Sequence, residues 1–208
     1  MRGEKLVHVH LCRLQRIEAT GVASCAADRL QPPFPPSYTV TLNADATVTD
    51  FTLDSASAIY RTPGGIQRQL NVTGESRLIS GLVEWHDGLW KGGTLTNDAD
   101  FDVYGVSYFG DFNSNGINMI NNGRMRIPFV PGRTSRLTLD GNTTFIQASP
   151  DSELTIDEQL FVQNGASLST TATAAGIRVQ PLGFMQVGQS PGGTVTRNTS
   201  AACNAVQC

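Results

Sequence analysis

The chain has 208 residues, a net charge of -3 and 16% charged residues, against about a quarter in an ordinary soluble domain. That balance gives no electrostatic case for a nucleic-acid partner, and no apolar run is long enough for a membrane-spanning helix. Lysine occurs only at Lys5 and Lys91, while Gly, Ser, Thr and Asn abound, a composition that suits β-structure outside the cell or at its surface.

Residues 1–36 stand apart. The opening "MRGEKLVHVHLCRL" is basic, but His8, His10 and Arg13 interrupt its apolar residues, so it is not read as a signal peptide. "QPPFPPS" then forms a stiff extended linker, because proline neither continues a helix nor donates to a sheet. The segment is expected to cap the body or to lie loosely beside it.

From Tyr38 onward a period of two dominates. "YTVTLNADATVTDFTLDSASAIY" alternates apolar with small polar residues, the pattern of half-buried strands. Short strands are predicted at 70–72, 78–79, 82–85, 101–103, 125–127, 137–139, 145–146, 154–156, 160–162 and 184–187. No amphipathic helix follows residue 36. The predicted loops are longest at "VSYFGDFNSNG" and "IPFVPGRTS". A cysteine-containing tail occupies 196–208.

Turn-plus-strand units recur. "TNDADFDVYG", "NNGRMRIPF" and "QNGASLST" align when Asn97, Asn121 and Asn164 are superposed. The separations scatter around 18 to 24 residues, about one coil of a parallel β-helix. The alignment sets Asp100 over Arg124, Asp102 over Arg126, Phe101 over Met125 and Val103 over Ile127. With coils ~4.8 Å apart, the apolar pairs would fill a core while the acids meet bases outside. The fold expected over 37–195 is therefore an all-β, single-stack parallel β-helix. The alternative is a β-sandwich.

The segment "GLVEWHDGLWKGGTLTNDADFDV" resembles a pattern of large extracellular β-solenoid surface and adhesin-like proteins: valine-x-tryptophan, a glycine turn, "GGTLTN", then a strand. "YTVTLNADATVTDFTLDSASA" resembles their opening coil. The resemblance covers roughly 37–190. It implies a surface or adhesive module and says almost nothing about catalysis. The charged Asp/Arg face and the N-terminal segment depart from the pattern.

Four groups of side chains are candidates for chemistry. Asp98, Asp100 and Asp102 alternate along a strand, so Asp100 and Asp102 lie ~7 Å apart on one face. That spacing suits glycoside hydrolysis by inversion, or a face balanced by Arg124 and Arg126. The arginines would lower the carboxyl pKa values, whereas a general acid needs a raised one. Around a glycine turn lie Trp85, His86 and Trp90. Alternation from Val83 sends Trp85 inward and His86 outward. Trp90 is left open, so His86 and Trp90 are candidates for stacking on a sugar.

"DFNSNG" (111–116) opens like a calcium loop, with Asp111, Asn113 and Asn115 as ligands. The place of the bidentate glutamate is held by Asn122. Asn and Gly are also what a tight turn selects, so a turn is expected, with structural calcium as the other reading and no other cofactor. Finally, Cys12, Cys25, Cys203 and Cys208 are disulfide candidates if the chain is exported. Their spacing lacks the paired ligands of a zinc site, and three connectivities are open.

These residues point first to a non-enzymatic structural or adhesive module whose partners are glycans or copies of itself. A polysaccharide-degrading β-helix lyase or hydrolase, and a filament-forming subunit, are the alternatives.

Overall fold

The computed structural model describes residues 7–9, 37–171, 176–188 and 194–197. It is an all-β parallel solenoid of about 6 turns. Every strand-to-strand pairing among the described residues is parallel, which excludes the antiparallel β-sandwich. One antiparallel bridge, Val130↔Arg133, lies inside a loop.

Each coil contributes to three faces. The first is a seven-stranded sheet: β3 (Ala46–Val48), β5 (Arg68–Val72), β7 (Gly88–Lys91), β10 (Val106–Phe109), β13 (Arg136–Leu139), β16 (Gln159–Val162) and β19 (Phe184–Val187). The second holds the opening halves of β4 (Phe51–Arg61) and β6 (Glu75–His86), then β8 (Thr94–Asn97), β11 (Asn118–Asn121), β14 (Thr144–Gln147), β17 (Ser167–Thr170) and β20 (Thr194–Arg197).

The third face holds β2 (Tyr38–Thr41), the closing halves of β4 and β6, β9 (Asp100–Tyr104), β12 (Arg124–Ile127), β15 (Glu153–Ile156) and β18 (Gly176–Val179). Because β4 and β6 run through the corner unbroken, the second and third faces join into one 13-stranded sheet. Gly81 makes that corner possible in β6. Its φ is +99°, and a Cβ there would lie 2.6 Å from the Ser55 carbonyl oxygen. A strand β1 (Val7–Val9) adds to the second face beside β4, so part of the N-terminal segment lies on the end of the stack.

The predicted register is observed: Arg124 stands on Asp100, Met125 on Phe101 and Arg126 on Asp102. Asn121 stands on Asn97, but Asn164 does not join that column. The next residue in it is Gln147, and Asn164 belongs to another corner, where it donates to Asp140 at 2.7 Å. Coil length also varies more than predicted, from the 18 residues between Leu82 and Asp100 to the 30 between Val106 and Arg136. Val106–Phe109 is strand rather than loop, so the loop after it begins only at residue 110.

Period-two alternation fills the tube. Val83, Trp85, Phe101, Val103, Met125, Ile127, Leu154 and Ile156 are all buried, and each large side chain so removed from water contributes ~1.5–3 kcal/mol. The early coils have an aromatic core. Trp85 and Trp90 pack with centroids 5.1 Å apart, and Phe51, Tyr60, Phe101 and Phe109 extend the cluster. Trp90 is thus fully buried and is no platform for a sugar. The "GG" at 92–93 has a steric cause: Gly93 has φ +60°, and a Cβ there would meet the Gly74 carbonyl oxygen at 2.1 Å.

Candidate functional site

The outward residues of the third face form columns of charge. Asp100 and Arg124 make a bidentate pair, Nε to Oδ1 and Nη2 to Oδ2, each at 3.0 Å. One column over, the register runs Arg61, Glu84, Asp102, Arg126, Thr155. Arg61 is committed to Glu84. Arg126, although aligned with Asp102, donates instead to Asp157 at 2.8 Å, which raises the guanidinium's pKa further. Asp98 lies outside this face, exposed in the turn between β8 and β9, and accepts from Asn122 Nδ2 at 2.8 Å.

Asp102 is the exception in this face. With Glu84 on one side and Arg126 turned away, it keeps only the Tyr104 hydroxyl, which donates to Oδ2 at 3.3 Å. Its Oδ1 is buried without a partner. Burial pushes the Asp102 carboxyl up, and Arg124, the Tyr104 hydrogen bond and Arg126 only partly oppose it. The arginines act downward on Asp102, as expected, but burial outweighs them and the carboxyl is raised on balance. Register put a base beside it, but a side chain as long as arginine's chose a better-placed acid.

Beyond Asp102 the third face turns the corner into the first. His86 ends β6 and, as predicted, points outward. Its ring stacks on Tyr104 with centroids 4.5 Å apart and planes 14° from parallel. Burial holds its pKa low; Glu84 and Asp87 oppose this while Arg61 and Arg133 assist it. Asp87, with φ 47°, is the corner itself. Its Oδ1 accepts from the Val106 amide at 2.8 Å and its Oδ2 from the Gly65 amide at 2.7 Å, so one carboxylate ties three successive coils. Asp45 plays a similar part earlier, accepting from the Gln69 amide at 3.0 Å.

Two loops flank this corner: 62–67, one coil before Asp87, and 128–135, two coils after it. Within the second, Arg133 follows a tight turn, its amide bonded to the Val130 carbonyl at 3.1 Å. Both loops carry an exposed apolar residue, Ile66 and Phe129.

Asp111 is a turn centre. Its Oδ1 accepts from the amides of Asn113 and Asn115 at 2.9 and 3.2 Å, and Asn115 Nδ2 reaches both carboxylate oxygens. Lys91 adds an ion pair at 3.1 Å. Burial alone would raise this carboxyl, but the Asn115 and Lys91 contacts and the two amides hold it below its ordinary value. A calcium ion here would have to displace Lys91. Among the described residues, no group of three or more His, Cys, Asp or Glu is placed to hold a metal ion. Cys12, Cys25, Cys203 and Cys208 lie outside the described residues.

Sequence reading missed Glu84, Asp87, Tyr104, Arg133 and Asp157. Glu84 could have been found from the coil of 18 residues that sets it on Asp102. Arg133 had no signal, because loop residues carry no period. No family model matches the chain, and neither a curated protein nor a solved structure is found to match it.

Proposed function

We propose that this chain is a non-enzymatic structural or adhesive module, acting outside the cell or at its surface, where it presents a stiff solenoid to glycans or to copies of itself. One observation carries the reading: the acids and bases of the third face are spent on one another across coils. Asp100 with Arg124, Arg61 with Glu84, and Arg126 with Asp157 are all paired. Groups held this way stiffen a stack and are poorly placed to exchange protons with a substrate. Lysine-poor, threonine-rich composition supports the location. The test is incubation with neutral and uronic-acid polysaccharides, with and without calcium, while chain length is followed by size-exclusion chromatography. No shortening is expected.

A second reading, a polysaccharide-degrading enzyme, is favoured by Asp102 alone. A carboxyl raised by burial is what a general acid requires. Shortening of a polymer by the wild type, abolished in Asp102→Asn, would replace the first reading with this one.

A further inference from the structure

The second face differs from the other two in what it shows to solvent. The third presents paired charges, and the first presents Tyr108 and Phe161, with the Arg136 guanidinium over the Phe161 ring. In β8, β11, β14 and β17 alternation sends two side chains of each strand outward, and the parallel register stacks them into two columns. One column runs Thr94, Asn118, Thr144, Ser167, and the other runs Thr96, Ile120, Ile146, Ser169. None of these positions carries a charge or an aromatic ring. The register goes on to Thr194 and Thr196 in β20. At the other end the columns start from Glu75 and Arg77, which pair with each other.

The array is regular and held in place. Each pairing from β8 to β17 runs four residues without a register shift, although coil length varies, because the extra residues leave at the corners. The loop after β10 turns away onto the first face, where Phe112 meets Tyr108. Leu95, Met119, Phe145 and Leu168 fill the tube beneath, and side-chain hydrogen bonds from Asn97 through Asn121 to Gln147 tie three of the strands along one margin. On the surface Thr144 Oγ1 donates to Asn118 Oδ1 at 2.8 Å. Threonine and isoleucine, branched at Cβ, hold few rotamers. Preorganisation of this kind lowers the cost of binding. The hydroxyls of Thr94, Thr96, Ser167 and Ser169 have no partner among the described residues, so they are left for solvent.

The result is a two-dimensional lattice with repeats of ~4.8 Å along each column and ~7 Å between columns. These repeats are close to those of the oxygen atoms on a prism face of hexagonal ice. A hydroxyl donates and accepts as water does, and methyl groups between hydroxyls leave the water above them to bond with itself. A glycan is gripped by stacking on aromatic side chains, and an ionic surface by opposite charge. The array supplies neither. A plane of ordered water needs no pocket and no charge, only matching spacing on a stiff support.

We infer that the outward side chains of β8, β11, β14 and β17 form an ice-binding face. The inference goes beyond the adhesive reading. It concerns another face and a ligand without glycosidic bonds, so polymer shortening would overturn that reading and leave this one standing.

A lysine inside the array breaks both its flatness and its neutrality. Ile120 and Thr96 are half-buried and point outward, so a lysine at either can lay its stem on the sheet and keep its charge in water. Gln159→Lys puts the same side chain outward on the first face and serves as the control. Melting curves establish that each variant folds; should Ile120→Lys fail, Thr96→Lys decides alone. The full chain is then exposed to slowly growing ice, and two quantities are read: the fraction taken into the ice, and the gap between melting and freezing temperatures. The wild type and Gln159→Lys are expected to enter the ice and open a gap, and Ile120→Lys and Thr96→Lys to lose both. A wild type that stays in the liquid with no gap at millimolar concentration overturns the inference. So does an effect that both second-face variants keep, or one that the control loses equally. Binding to crystalline cellulose or chitin without uptake into ice, lost in the same two variants, would assign the face to a polysaccharide instead.

Discussion

Two polar ladders climb this solenoid, and they differ in where they stand. One is buried at the corner between the second and third faces. Asn97 Nδ2 donates to Asn121 Oδ1 at 2.7 Å, Asn121 Nδ2 to Gln147 Oε1 at 2.6 Å, and Gln147 Nε2 to the Gly176 carbonyl at 3.0 Å. All three side chains are fully buried. The other is the outer ladder of the third face, in which the side chains of Asp100 and Arg124 remain about half exposed. Both link coil to coil through one register. The buried ladder has no water to fall back on, so each member depends on the next. The outer ladder exchanges one set of hydrogen bonds for another in solvent, and its members are replaceable.

Cutting the buried ladder in the middle is expected to have the largest effect. Asn121→Ala leaves Asn97 without its acceptor and Gln147 without its donor, each sealed from water. An unsatisfied buried polar group costs ~1–3 kcal/mol, so for the two groups a total of about 2–6 kcal/mol should appear as a lower midpoint in urea unfolding. A loss under about 1 kcal/mol would mean that water enters the corner, and the contrast between the ladders would collapse.

The buried ladder was half legible in the sequence. Asn97 over Asn121 could be read because an asparagine recurs before two similar strands. Gln147 could not, since it is not an asparagine and the Ser149–Ser152 turn that follows it does not resemble the other turns, whereas Asn164 opens a better-matching one. The inward and outward sides of the third face followed from alternation, and Trp85, His86 and the Asp100–Arg124 register came with them. Trp90 did not, because β7 follows a corner at Asp87 where the alternation restarts. The polar corner was illegible for a different reason. Gly65, Asp87 and Arg133 come from segments whose separation reflects loop lengths, and those obey no repeat.

Asp102, one column beyond Asp100 on the outer face, is half-buried and short of a partner, and it should respond to pH in its own direction. Its carboxyl is raised in the folded state. The folded chain therefore holds this proton more tightly than the unfolded chain does. The stability it contributes is fully present below the ordinary carboxyl range, ~3.9, and is lost as pH rises through the raised value. Asp111 has the opposite sign: its lowered carboxyl contributes stability above that range and loses it as pH falls. Asp102→Asn should thus stabilise the protein at neutral pH and not at pH 3.5. The effect should be smaller than that of Asn121→Ala, because solvent screens a side chain this exposed. Thermal melts of both proteins at several pH values give the difference directly. A constant difference across that range would show that Asp102 is not raised.

The smallest effect is expected where the interaction looks strongest on paper. Asp100 and Arg124 share two hydrogen bonds with good geometry, yet both are half exposed. Exposed pairs of this kind are worth ~0.2–1 kcal/mol. A double-mutant cycle of Asp100→Ala and Arg124→Ala should return a coupling energy in that range, which fades as salt rises to 1 M and the screening length shrinks to ~3 Å. The same cycle on Asn121 and Gln147 should give a larger coupling that salt leaves untouched, since neither group is charged or wet. If the exposed pair proved the stronger of the two, the third face would be a principal support of the stack. Its charges could then not be changed to alter what the surface recognises without loosening the coils beneath.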